Sequence, residues 1–205
     1  MNPTKNHNVR LPRLAQTALW ALATVCGLLI VMPATSNAAS AEFGADLSGP
    51  VTPVAAPEPC AANPGAGCTR VATYYDDPSH AGGVPYAPKT GTIKKISLVA
   101  ANPGSLKIQL AKDKGSGGTA EAKIKQDGPK LSYMGTGSVE TFKVHIPVEK
   151  GQWLAFKGKY ADTLHCGAGF DTEVQFQPAL PVGGPLTAPS GASDCTHLIG
   201  ARMKY

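Results

Sequence analysis
The 205-residue chain is 42% hydrophobic and 16% charged, with 23 glycines, 18 prolines and a formal net charge of +5. Lys5, Arg10 and Arg13 fall in the first 38 residues, so 19 basic residues less these 3 leave 16 against 14 acidic, a net +2 for the remainder. Overall basicity is therefore no argument for a nucleic-acid partner, and arginine is nearly absent beyond residue 38.

Residues 1–38 read as a cleaved secretion signal. The basic start has no acidic residue, Ala18 to Met32 is an apolar run, and Pro33 ends it. Ser36-Asn37-Ala38 supplies small residues for cleavage, and Ala39-Ser40-Ala41 supplies a second site. A retained membrane anchor is the competing reading, because the apolar run is long. Cys26 lies inside that run, and the cysteines left after cleavage are Cys60, Cys68, Cys166 and Cys195. An even number in an exported chain predicts disulfides. Three pairings exist, and Cys60–Cys68 with Cys166–Cys195 is the most economical in sequence. Each bridge would contribute about 2–4 kcal/mol by restricting the unfolded chain.

Residues 39–205 are expected to form a single domain. Ala41 to Leu47 is a short first strand, and residues 48–67 form a loop rich in Pro, Ala and Gly. Cys68 to Tyr75 is a strand, followed by a loop from Asp76 to Lys89. Gly91 to Ala101 is a strand with Ile96 and Leu98 inward and Lys95 and Ser97 outward. Asn102-Pro103-Gly104 turns the chain, and Leu106, Ile108 and Leu110 then alternate with polar neighbours. Lys112 to Gly118 is a loop. Ala120, Ala122 and Ile124 alternate next, Asp127-Gly128-Pro129 is expected to turn, and Leu131 to Met134 forms a short strand.

The central pattern spans Ser138 to Lys157. Phe142, Val144, Ile146 and Val148 occupy alternate positions, as do Leu154 and Phe156 after Glu149-Lys150-Gly151-Gln152. This reads as a β-hairpin at the middle of an antiparallel sandwich. Pro147 donates no hydrogen bond, so that end of the strand belongs at an edge. Val174 and Phe176 are expected inward on a strand from Thr172 to Gln177. Pro178 to Ser193 is a loop, and Ile199, Ala201 and Met203 share one face of a closing strand. No helical period appears after the signal. The expected fold is an all-β, jelly-roll-like antiparallel sandwich of about nine or ten strands.

Phe43-Gly-Ala-Asp-Leu47, the pair Cys60 and Cys68-Thr69, and the run Phe142-x-Val144-x-Ile146-x-Val148-x-x-Gly151 resemble a group of exported bacterial β-sandwich proteins of uncharacterised function. The resemblance covers most of residues 39–205. It implies architecture and export, and no chemistry. The architecture is also similar to jelly-roll carbohydrate-binding modules, an analogy of fold alone.

Several residues stand out as candidate sites, each with a plainer alternative. Tyr74, Tyr75, Asp76, Asp77 and His80 cluster where a strand enters a loop. Asp76 and Asp77 are the candidate Ca²⁺ ligands, although Asp-Pro sequences are common in turns and two carboxylates are few for calcium. Trp153 falls on the outward phase, where an indole would stack on a sugar; its alternative is cover by a loop or a second apolar layer. Tyr86 and Tyr160 are further stacking candidates.

Lys89 to Lys159 holds 13 lysines and 5 acids. Within it Lys95, Lys107, Lys123, Lys125, Lys143 and Lys157 take the outward phase. They are candidates for one basic face toward an anionic polymer, or alternatively for solubility and edge protection. His145, His165 and His197 with Asp162, Asp171 and Asp194 supply acid–base residue types at no catalytic spacing. No nucleophile elbow, zinc motif or nucleotide loop occurs.

These features favour a secreted or cell-surface binding module over an enzyme, with a glycan or anionic wall polymer as partner and no cofactor beyond a candidate Ca²⁺. A structural or protein-interaction domain without a small ligand is the first alternative. A hydrolase with a site built across loops is the second.

Overall fold
The computed structural model describes residues 38–47, 67–74, 84–115, 117–158, 172–193 and 197–205, all within the compact unit Ala38–Tyr205. Ten strands occur among them: β1 (Ser40–Gly44), β2 (Cys68–Tyr74), β3 (Gly91–Val99), β4 (Gly104–Lys114), β5 (Glu121–Tyr133), β6 (Val139–Val148), β7 (Trp153–Gly158), β8 (Thr172–Phe176), β9 (Gly191–Ser193) and β10 (Ile199–Lys204). A 3₁₀ turn at Gly117–Thr119 joins β4 to β5. The strands form two antiparallel sheets, ordered β1-β10-β3-β6 and β5-β4-β7-β2-β8-β9. The protein is a β-sandwich.

Alternation in sequence becomes two layers of packing. Ile93, Ile96 and Leu98 of β3 and Ile146 and Val148 of β6 meet Leu106, Ile108 and Leu110 of β4 and Leu154 and Phe156 of β7 between the sheets. Phe43, Ala201 and Met203 from β1 and β10 complete this core. Each fully buried Leu, Ile or Phe there contributes about 1.5–3 kcal/mol. The intervening residues of the six-stranded sheet do not simply face water. Val71, Ala111, Ala122, Ile124, Trp153 and Ala155 build a second apolar layer on its outer side. Val174 and Phe176 belong to this outer layer rather than to the core between the sheets, because Val174 stands opposite Val71 and Phe176 opposite Thr69 on the outer phase of β2.

A strap covers this second layer. After β8 the chain passes a cis Gln177–Pro178 peptide, and Leu180 then donates its amide to Thr69 Oγ1 (3.1 Å) on β2. The strap reaches the free edge of β5, where Gly183 donates to the Ile124 carbonyl and Thr187 and Ala122 exchange backbone hydrogen bonds. It returns to β8 through the Ser190 amide and the Gln175 carbonyl.

The expected β-hairpin is instead a corner between sheets. β6 is an edge strand of the four-stranded sheet, whereas β7 lies inside the six-stranded one. Ile146 and Val148 therefore face Leu154 and Phe156 across the core. The turn between them is held by Gln152 N donating to the Glu149 carbonyl, by Gln152 Oε1 accepting from Glu149 N, and by Gly151 at φ +79°. A corner and a hairpin need the same alternation and the same turn residues, so the one-dimensional pattern does not separate them. Pro147 lies on an edge strand, as its missing N–H requires.

The expected turn at Asp127-Gly128-Pro129 is a bulge inside β5. Lys107 pairs with Lys130 and Gln109 with Asp127, so two residues stand against one and the side-chain phase shifts. A second bulge lies between Leu110 and Ala111 in the same pairing. The two phase shifts cancel along the strand, so Ala122 and Ile124 point outward and Leu131 and Tyr133 inward as plain alternation gives, and between the bulges Asp127 is carried to the outer side opposite Gln109. Cys68 is buried and disulfide-bonded. Its partner is not among the described residues, and Cys60, Cys166 and Cys195 all lie outside them.

Candidate anion-binding face
The two sheets differ in what covers their outer sides. On the six-stranded sheet the strap and the 84–87 segment close over Trp153. The indole alternates away from Leu154 and Phe156 but is only 8% exposed. Its ring tilts against Tyr86 at a centroid distance of 5.6 Å, and the backbones of the two residues form a bridge. Trp153 is thus a packing residue of the second apolar layer, which is the alternative the sequence offered, and it is not an exposed stacking platform. Tyr86, 41% exposed, keeps one side toward solvent.

The outer side of the four-stranded sheet carries no such strap among the described residues. Its strands place one side chain each in a single cross-strand row: Glu42 of β1 opposite Arg202 of β10, Arg202 opposite Lys95 of β3, and Lys95 opposite Lys143 of β6. Three cations therefore stand side by side on neighbouring strands. A bulge between Ile93 and Lys95 brings Lys94 toward the same side, where its Nζ donates to His145 Nδ1 at 3.0 Å. Glu42 is the carboxylate of the row, 3.7 Å from Arg202 Nε with both side chains more than half exposed. Such a pair contributes little.

One strand step along lies a neutral row of Gly200, Ser97 and Thr141. Ser97 Oγ and Thr141 Oγ1 are 2.8 Å apart. Here the chain leaving β1 climbs over β10. A Cβ on Gly200 would sit 2.3 Å from the Ala45 carbonyl oxygen, so only glycine admits the crossing. Ala45 and Leu47 form one wall of a groove of about 210 Å³, floored by Gly200, Ser97 and Thr141 and flanked by Val139 and Arg202.

The lysines predicted to share one face are divided between two. Lys95 and Lys143 lie on the four-stranded sheet, while Lys107 and Lys157 face each other on the six-stranded one. The reason is that the outward phase points to opposite sides of a sandwich in its two sheets. Lys107 is also neutralised in place. Its Nζ donates to Asp127 Oδ2, and Gln109 Nε2 donates to Oδ1 at 2.8 Å. Burial works to raise the Asp127 pKa, but the hydrogen bonds from Lys107 and Gln109 and the charges of Lys107 and Lys157 together hold it below the ordinary value. Neither Lys95 nor Lys143 has such a carboxylate partner among the described residues.

A buried ionic cluster joins three residues that no sequence spacing connects. Arg70 Nη1 donates to Glu173 Oε1 at 2.9 Å, and His197 Nδ1 lies 2.9 Å from the same oxygen. The His197 backbone amide donates to Oε2 at 3.2 Å. All three residues are at most 3% exposed, with the His197 ring edge-on to Phe156. Burial pushes the Glu173 pKa up, but the His197 and Arg70 partners outweigh it and hold the carboxyl below its usual value. The cluster ties β2 and β8 to the segment entering β10. A lone arginine inside an apolar strand, Thr69-Arg70-Val71, was the one available hint, since such a charge requires a buried partner.

Asp113 is a half-buried acid. Its Oδ2 has no hydrogen-bond partner among the described residues, and burial raises its pKa to about 6 against a weaker lowering by its own backbone.

The remaining candidates lie elsewhere or outside the described residues. Tyr74 ends β2, and its side chain lies outside the described residues, as do Tyr75, Asp76, Asp77, His80, Tyr160 and His165. Among the described residues no three His, Cys, Asp or Glu side chains are grouped to hold a metal ion. His145 lies on the open face and His197 in the buried cluster. No family model, no curated protein and no solved structure matches the chain.

Proposed function
We propose that this protein is an exported, non-catalytic module that binds an acidic polysaccharide on the outer face of its four-stranded sheet. The observation that carries the reading is the row Arg202, Lys95 and Lys143 on adjacent strands. Like charges directly opposite one another cost folding stability. The opposite sheet shows how this chain quenches such a row, with Asp127 set among its lysines. Among the described residues the open row has only Glu42, at its Arg202 end and 3.7 Å away, and a polyanion laid across Lys95 and Lys143 would supply the missing charge. Such association is steered by the field of the face and weakened by salt.

Export belongs to the same reading. Residues 1–38 would direct the chain across a membrane and be removed, and Cys60–Cys68 and Cys166–Cys195 would close in that oxidising setting. Setting β8 and β9 aside, the sheets run first-last-third-sixth and second-seventh-fourth-fifth in order along the chain. That order supports the jelly-roll assignment, and with it the likeness to exported sandwich proteins.

The test is binding of the purified protein to polygalacturonate at low and high salt, for the natural chain and for Lys95→Gln/Lys143→Gln. Removing two cations worth about 0.5–1 kcal/mol each should weaken low-salt binding roughly tenfold, and molar salt should abolish most of the remainder. The thermal midpoint should not fall, since both side chains stand on the solvent side. Unchanged binding by the variant, or binding indifferent to salt, removes the charged row from the function.

A further inference from the structure
Resting on that reading, we infer that the groove beside the charged row is a subsite selective for a carboxylated sugar over a phosphate-bearing chain. The two rows are two residues apart along each strand, about 7 Å at the usual strand rise. One ligand unit in the groove therefore keeps its neighbours over the cations.

The chemistry of the lining specifies the unit. Arg202 offers a planar fork that matches a carboxylate with two parallel hydrogen bonds. The Ser97–Thr141 hydroxyl pair, with 2.8 Å between its oxygens, uses one proton internally. It leaves one donor and several lone pairs for a ligand, a set that suits hydroxyls, which both donate and accept. Glu42, at the mouth of the groove, accepts only. A sugar hydroxyl satisfies it, while a phosphate oxygen has no proton to give and is repelled. Val139, 43% exposed, and Leu47 provide an apolar strip for the C–H side of a ring. A hydroxylated ring bearing one carboxylate meets all four demands. A polyphosphate meets the first and accepts the one free hydroxyl proton, but offers Glu42 no donor and the apolar strip no C–H face.

Glu42→Ala separates this from charge alone. Removing Glu42 makes the face more positive, so an unselective polyanion site would bind every anion more tightly. A groove that uses Glu42 as a hydroxyl acceptor should bind oligogalacturonate less tightly, while polyphosphate of matched length gains. The natural chain should prefer oligogalacturonate by about tenfold, the worth of two neutral hydrogen bonds. Ser97→Ala/Thr141→Val should bring that preference close to one, because it weakens oligogalacturonate binding more than polyphosphate binding. Equal affinity for the two anions, or tightening toward both in Glu42→Ala, overturns the selectivity and leaves the charged row standing. Absence of binding to either anion at low salt overturns both readings.

Discussion

The outer faces of the two sheets solve the same problem in opposite ways. Each strand of a sandwich has a side that the core between the sheets does not use. On the six-stranded sheet that side is apolar, with Val71, Ala111, Trp153, Ala155 and Phe176, and the strap from Pro178 to Ser190 lies over it. Its lysines surround a carboxylate. On the four-stranded sheet that side carries Arg202, Lys95 and Lys143 in one row, with a groove beside it. The first face is finished within the chain. Among the described residues the second sets three cations against the single carboxylate of Glu42, and it is there that an external partner is to be sought.

The largest expected effect comes from the buried cluster that lies behind the covered face, beside Phe156 of the core between the sheets. Glu173→Ala would leave Arg70 and the His197 ring buried without their carboxylate, and should destabilise the fold by about 3–5 kcal/mol in denaturant unfolding. The pH dependence gives a second readout. The folded-state pKa of Glu173 is lowered, so its stabilisation is present above the unfolded value near 4.5 and is lost as pH falls through the folded value. A variant that unfolds at the natural midpoint would mean that the cluster holds nothing together.

Trp153→Ala should cost a similar or slightly smaller amount, about 3–5 kcal/mol for an aromatic removed from a packed layer. It should leave polyanion affinity unchanged at temperatures where the variant is folded. Lost affinity with intact stability would reverse the assignment and restore the indole as a ligand platform.

The smallest effect sharpens the comparison from within the six-stranded sheet. Burial raises the folded pKa of Asp113 from 3.8 to about 6, so the fold favours the protonated acid. The penalty is absent below the unfolded pKa near 3.8, grows between there and about 6, and is complete above it. Asp113→Asn should therefore stabilise the protein at pH 7.5 and have no such effect at pH 3.5. An equal shift at both pH values would show that the Asp113 charge is not what the fold resists.

Much of the architecture was legible from alternation alone. Period-2 runs at Leu106 to Leu110, Phe142 to Val148 and Ile199 to Met203 were strands with those faces inward, and Pro147 placed its strand at an edge. The failures share one cause. Alternation states that two sides of a strand differ, but not which sheet the strand joins. For that reason the buried Val174 and Phe176 belong to the outer apolar layer although their pattern fits either layer, and the alternation around Gly151 fits a hairpin and a corner equally. Asp127-Gly128-Pro129 has the composition of a turn, and only pairing with β4 shows the chain continuing through a bulge. The candidate site divided in the same way. Lys95 and Lys143 could be read as outward, whereas Arg202, Glu42 and the Ser97–Thr141 pair join them only through register. Lys107 shares their phase and ends on the opposite side of the molecule.

The amino-acid sequence by itself determined the class of structure, because side-chain alternation, proline and glycine act over a few residues. It also determined that the basic residues concentrate in the middle of the chain. The tertiary structure decided which strands share a sheet, which apolar faces need a strap, and which lysines meet a carboxylate. Those outcomes depend on contacts between residues far apart in the chain, such as Arg70 with Glu173 and Thr69 with Leu180, and no local pattern encodes them.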